Sequence, residues 1–131
     1  MGDQKITRIS LAGIAFDNGK VLVALRNPGT SIGESWEFPG GKLEEGESPE
    51  ETLKREYLEE FDAEIEVGER ICRGKFSNKD CHYTLYGYLI TVKSELRLKE
   101  HSEVRWVSLR ELDNLPMAAS DRQLAECLKN R

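Results

Sequence analysis

The chain is poor in cysteine, with three among 131 residues: Cys72, Cys81 and Cys127. An odd number without close-paired spacing excludes a disulfide framework and offers no set of ligands for a structural zinc ion. Long apolar runs are also missing. No run approaches the roughly 20 residues a helix needs to cross a bilayer, and the N-terminal MGDQKITRIS lacks the apolar stretch of a signal peptide. The expected location is therefore the cytoplasm. Positive charge is not in excess: 19 Lys and Arg stand against 24 Asp and Glu, which argues against a broad basic surface for duplex nucleic acid. Repeats, low-complexity tracts and linkers are absent, so a chain of this length is expected to form one domain, residues 1–131, with its own core.

What is abundant is glutamate, in one place. Residues 44 to 60 hold eight glutamates against Lys54 and Arg55 alone, which leaves the remainder of the chain close to neutral. Acid packed this densely repels itself. A solvated helix tolerates such repulsion, and a site for a hard cation requires it.

Residues 6 to 16 (ITRISLAGIAF) read as a strand, Asp17, Asn18 and Gly19 as a tight turn, and KVLVALR at 20 to 26 as the returning strand of a hairpin. Asn27 to Ser35, with Pro28, Gly29 and Gly33, reads as a loop, and Trp36 to Phe38 as a short apolar return ended by Pro39, Gly40 and Gly41. A helix then begins. Ser48 is a good N-cap, Pro49 suits the first helical position and Glu51 closes a capping box, so the helix should run to about Phe61. EIEVGERICRGKF and CHYTLYGYLITV, separated by SNKD at 77 to 80, predict a second hairpin. A strand over Glu103 to Val107, a short helical turn after Ser108, and a last helix to about Lys129 complete the chain, Ser120 and Gln123 offering the last helix a capping box. This order predicts an α+β fold, an α/β/α sandwich built on a mixed sheet.

On the first helix, residues advance about 100° each, so Leu53, Tyr57 and Phe61 form one apolar stripe facing the core. With Leu53 as zero, Glu60 falls near ~340°, Glu56 near ~300° and Glu59 near ~240°, beside that stripe. Carboxylates at these spacings destabilise a helix by some tenths of a kcal/mol per pair, and a divalent cation converts the repulsion into ligation. Oxygen-only ligands favour Mg²⁺ or Mn²⁺ over zinc. The glycine pair upstream allows backbone to approach an ion or a phosphate that a β-carbon would exclude.

From Gly41 the chain reads GKLEEGESPEETLKREYLEEFDA. Gly41, five residues, Glu47, seven residues, Arg55-Glu56, the apolar Tyr57, one residue and Glu59-Glu60 resemble the Nudix box, here residues 41–63. The flanking elements follow that family's order over nearly the whole chain. One position departs: Asp62 stands where the family usually has glycine, at a helix C-cap. The resemblance implies a Nudix-type α/β/α sandwich and Mg²⁺-dependent hydrolysis of a nucleoside diphosphate linked to another group, with Mn²⁺ as a substitute. Such a substrate brings several negative charges to an acidic site, so cations must neutralise both. It further implies Glu56, Glu59 and Glu60 as metal ligands with the Gly40 carbonyl beside them, Arg55 orienting the carboxylates, and Glu47 holding the loop to the helix. Two residues compete as general base. One is Glu56; the other is Glu100, six residues before Trp106, where MutT-like members carry an acidic loop residue near the metals. Either could ligate a cation instead, Glu103 competes for the register of Glu100, and Glu100 ranks first as base. His101 is suited to proton transfer, but a lone loop histidine is expected to face solvent.

Small size resembles the MutT branch, whose members act on nucleoside triphosphates. By position, Arg26 matches a phosphate-binding arginine, Glu37 precedes the Phe-Pro-Gly-Gly turn, Lys42 can approach a phosphate, and Asp121 lies 15 residues after Trp106 where that branch reads the base. Members that read oxidised guanine typically have Asn there, and relatives preferring cytosine nucleotides have Asp. An ionised Asp only accepts, which favours the exocyclic amine of cytosine; alternatively Asp121 supports the N-terminus of the last helix. Tyr86 and Tyr88 share a strand face with Tyr83 opposite, an arrangement expected to serve cross-strand packing. The expected partner is thus a small nucleotide, a cytosine or an oxidised or modified dNTP cleaved to monophosphate and pyrophosphate, with no duplex nucleic acid and no membrane, in a monomer or homodimer. Hydrolysis of ADP-ribose or a dinucleotide is the enzymatic alternative. A non-catalytic nucleotide-binding module is the other, and it would be expected to have lost one of the three carboxylates.

Overall fold

Asn18 and Gly19 both take positive φ, 53° and 77°, and so close the two-residue turn that joins β1 (Ile6–Asp17) to β2 (Lys20–Arg26). The computed structural model describes residues 6–26 and 34–131, so most of the expected Asn27 to Ser35 loop lies outside the described residues. The remaining elements are β3 (Trp36–Glu37), β4 (Gly40–Lys42), α1 (Pro49–Phe61), β5 (Ile65–Ser77), β6 (Cys81–Val92), β7 (His101–Ser108), a 3-10 turn over Glu111–Asn114 and α2 (Ala119–Lys129). β1 is the hub of a mixed seven-stranded sheet. It runs parallel to β6 from Ile6 opposite Cys81 to Ala15 opposite Ile90, and antiparallel to β4 and to the start of β2. β5 pairs outside β6, while β2 carries β7 and β3.

Both faces of the sheet are covered, which is why β2 reads as an unbroken apolar run rather than an alternating one. Val21, Val23 and Leu25 pack with Ile14, Leu85, Leu124 and Leu128 on the α2 side. Leu22 and Ala24 point the other way, against Leu53, Tyr57 and Phe61 of α1. The chain thus has the α+β sandwich its element order predicts. No helix among the described residues is long and apolar enough to cross a membrane. All three cysteines are free.

Local chemistry sets the limits of α1. The Ser48 side chain accepts from the Glu51 N–H at 3.1 Å while the Glu51 carboxylate accepts from the Ser48 N–H at 3.0 Å, a complete capping box. Asp62 ends the helix in the left-handed region at φ 53°, and its N–H donates to the Leu58 carbonyl. Three expectations need correction. The glycine pair is not only a turn, since Gly40–Lys42 forms β4 against Ser10–Ala12 of β1. β7 begins two residues earlier than expected and takes in His101. The capping box on α2 does not form: Ala118 is the N-cap and makes no side-chain bond. The Gln123 amide is instead drawn to the outer edge of β5, where it accepts from the Lys75 N–H at 2.8 Å and donates to the Lys75 carbonyl at 2.5 Å.

Candidate active site

Angular position on α1 sorts its three carboxylates by depth. Glu60, nearest the apolar stripe, has a side chain only 3% exposed, Glu56 is at 18%, and Glu59, farthest round, is at 57%. β4 lies across this helix face. The Gly13 N–H donates to the Pro39 carbonyl at 2.9 Å and the Leu43 N–H to the Ile9 carbonyl at 3.0 Å, pinning the glycine pair between β1 and α1. A Cβ on Gly41 would fall 2.5 Å from the carboxyl carbon of Glu56, and one on Gly40 would fall 2.0 Å from the Leu11 carbonyl oxygen. At Gly40 the obstacle is backbone and only glycine fits, while at Gly41 an added Cβ would displace the Glu56 carboxylate.

Arg55 organises the surrounding acid. Its Nε and Nη2 donate to the two oxygens of Glu47 at 2.9 and 3.0 Å, and its Nη1 donates to Glu56 at 2.9 Å and reaches Glu59 at 3.5 Å. The Thr52 hydroxyl also donates to Glu47, at 2.8 Å. The Arg55 guanidinium foremost, with Thr52, holds the Glu47 carboxyl down at about 2. Glu47 therefore ties the loop before the helix to its first two turns, through Thr52 and Arg55, and Arg55 is far more than an i,i+4 partner of Glu59.

Two atoms of the site, Glu60 Oε2 and His101 Nδ1, are buried without a hydrogen-bond partner among the described residues. Burial, with the Glu56 and Glu37 carboxylates nearby, pushes Glu60 up to about 9. Burial also raises Glu56, against the pull of Arg55. A buried oxygen left unpaired among other carboxylates, one of which lies against the Gly41 backbone, is a donor set that fits a hard divalent cation.

Arg26 and Glu37 meet from neighbouring strands, with Nε to Oε1 at 2.9 Å and Nη2 to Oε2 at 3.3 Å. On its other side Glu37 Oε2 faces His101 Nε2 at 2.9 Å, and the same nitrogen lies 3.7 Å from Glu60 Oε1. Glu37, Glu60 and His101 thus bring three ligand-type atoms within 4.8 Å of one another. Burial alone would raise Glu37, but hydrogen bonds from His101 and Arg26 outweigh it and hold the carboxyl below its ordinary value. The expectation of a solvent-facing His101 is overturned, for the residue is 4% exposed. Sequence reasoning passed it over. Glu100 sits in the exposed turn before β7, close enough to act electrostatically on Arg26 and Glu60. Glu103 is turned to Arg105, 2.6 Å away.

Beyond the glycine pair opens a cavity of about 210 Å³, lined among others by Arg26, Glu37, Phe38, Lys42, Phe76 and Asp121. Asp121, in the first turn of α2, accepts from the Phe38 N–H at 3.0 Å. Burial, with Glu37 adding to it, pushes its carboxyl up to about 7. The Lys42 ammonium stands 5.5 Å from the centre of the Tyr83 ring, which stacks on Phe76 at 4.5 Å. Tyr86 and Tyr88 pack on the α1 side, so the tyrosines divide between the faces as the period of two requires. The structure thus brings together two groups, the acid around Arg55 and the cavity around Asp121, with Glu37 and His101 between them.

The NUDIX domain model matches residues 7–127. The chain is 36% identical to the 8-oxo-dGTP diphosphatase of Proteus vulgaris over 103 residues, covering 78% of this chain and 92% of that protein. It is 32% identical to the CTP pyrophosphohydrolase of Escherichia coli (strain K12) over 118 residues, covering 88% and 87%. Among solved structures, that of the E. coli ORF135 protein superposes with a TM-score of 0.88 at 29% identity, covering 96% of this chain and 91% of that one.

Proposed function

The chain belongs to the Nudix family, as a hydrolase of phosphorus-containing anhydrides, and on that premise we propose that it is a Mg²⁺-dependent pyrophosphohydrolase of nucleoside triphosphates, releasing monophosphate and pyrophosphate. One observation carries this reading: the Glu56 carboxylate of α1 meets the Gly41 backbone at the edge of a cavity that offers Arg26, Lys42 and Asp121. Glu56, Glu59, Glu60 and the Gly40 carbonyl would hold the cation, and Glu100 would join them as a ligand in the alternative where Glu56 is the base. When bound, it supplies charge neutralisation and Lewis acidity at the phosphorus under attack.

The chain's own groups do the rest. Arg55 and Glu47 fix the Glu56 carboxylate so that it need not reorganise during the reaction. Arg26 and Lys42 attract the phosphates. Glu100, exposed and unburdened by a bidentate partner, takes the proton of the attacking water, a role for which Glu56 is the alternative. Phe38 and Phe76 offer apolar walls to the base, and ionised Asp121 accepts from an amine on its edge. That last contact, with the names of the two relatives above, directs the substrate search to cytosine and oxidised guanine nucleotides.

The test is a panel of dCTP, 5-substituted dCTP, 8-oxo-dGTP and ADP-ribose with Mg²⁺, reading pyrophosphate against monophosphate release. Pyrophosphate from a triphosphate is expected. Two monophosphates from ADP-ribose, with no triphosphate turned over, would refute the reading.

A further inference from the structure

His101 lies where a regular ladder would not have put it. β2 and β7 pair without interruption from Lys20 opposite Ser108 to Leu25 opposite Glu103, and the next pair is Arg26 opposite His101. Ser102 is therefore an extra residue, a bulge. Ala24 and Val104 pair and both face α1, so an unbroken ladder would turn Ser102 to that side and His101 away from it. The bulge gives His101 the place. Bulges disrupt the ladder locally and often re-aim a side chain beside a site.

The ring is fixed in two further ways. It stacks on Phe61 with centroids 5.1 Å apart and planes 12° from parallel, and its side chain is 1% exposed. Its Nε2 lies against Glu37 at 2.9 Å and near Glu60 at 3.7 Å, and Glu37 is itself held by Arg26. A carboxylate shared with an arginine accepts, so the imidazole donates from Nε2. A packing role alone would ask only for a flat apolar ring against Phe61, not for a nitrogen aimed between two carboxylates.

We propose that His101 is a positioning residue: its Nε2–H donates to Glu37 while the same ring, stacked on Phe61, stands beside Glu60, which couples the nucleotide cavity to the metal-binding end of α1. The inference rests on the functional reading above. Without that hydrogen bond Glu37 loses the donor on its buried side, and both Glu37 and Glu60 drift from the arrangement that Arg26 and the cation need. Loss of such an outer partner costs about 10- to 100-fold in metal affinity or activity.

The experiment compares His101→Phe, which keeps the stack and loses the donor, with His101→Gln, which restores an N–H, both in the full chain. Should the phenylalanine variant not fold, His101→Leu replaces it. Calorimetric titration with Mn²⁺ alone is expected to show about tenfold weaker binding for His101→Phe, with kcat on the best triphosphate of the panel down about 10- to 100-fold and KM raised. His101→Gln should recover most of the loss in both. Unchanged Mn²⁺ affinity and kcat in His101→Phe would overturn the inference, as would a glutamine variant no better than the phenylalanine one. Nitrogen coupling in the spectrum of bound Mn²⁺ would also overturn it, by making His101 a ligand. If the wild type itself hydrolyses no nucleotide, the functional reading fails, and the Mn²⁺ comparison still decides this one.

Discussion

Glu60 occupies a position that folding alone would not favour, a carboxyl buried among carboxylates with one oxygen unpaired. Its folded value near 9 lies above the ordinary value of 4.5, so the protein keeps this proton as the unfolded chain loses it. The associated stability is complete below the ordinary value and is lost as pH rises towards 9. Glu60→Gln carries no such liability, and is expected to raise the thermal midpoint of the metal-free protein more at pH 9 than at pH 5 while abolishing turnover. That is the signature of a residue kept for function at the expense of stability. Asp121 yields a prediction of opposite use. Its ionised form predominates above about 7 and declines below it, so KM for dCTP should rise as pH falls through that value. In Asp121→Asn, which cannot ionise, this dependence should vanish. Steady-state kinetics across pH 6 to about 8.5 read both.

At the scale of elements, α1 and the glycine pair work as one unit. Gly41→Ala would drive a Cβ to 2.5 Å from the Glu56 carboxyl carbon, and since Arg55 resists its retreat, a loss of roughly 100-fold in kcat is expected with the fold retained. Ser48→Ala removes one half of the capping box and should cost about 1 kcal/mol, lowering the thermal midpoint by roughly 4 °C without touching kcat. The two variants separate what the helix needs to exist from what it needs to act. Both ends of α1, and the depth order of Glu60, Glu56 and Glu59, were legible in the sequence because capping chemistry and the helical period are local properties. The bulge at Ser102 was not. It depends on how β7 pairs with a strand some eighty residues away, and a strand read as beginning at Glu103 puts His101 in a loop, where solvent is the expectation. Gln123 misled for a related reason: its spacing from Ser120 matches a cap, yet the β5 edge competes for the same amide.

For the whole molecule, the mixed sheet covered on both faces places β1 at the hub, and β1 is what sets the glycine strand on one side of it within reach of α1 and the cavity. The order of elements was enough to foresee the layers, whereas the pairing of β4 with β1 was hidden behind a turn signal that most Pro-Gly-Gly stretches share. The outcome is a site assembled from β2, β3, β4, α1, β7 and α2, in which acid gathers at one end and a base-sized cavity opens at the other. Its central claim is that clustered glutamates exist to hold a divalent cation against a polyphosphate. The most direct test is to titrate Mg²⁺ into metal-free protein saturated with a non-hydrolysable α,β-methylene triphosphate, for the wild type and for Glu56→Gln and Glu59→Gln. The account predicts saturable Mg²⁺ uptake by the wild type, about 10- to 100-fold weaker in each variant, with the thermal midpoint of the variants preserved. Equal Mg²⁺ affinity in all three proteins, or no uptake by the wild type with nucleotide present, would contradict it.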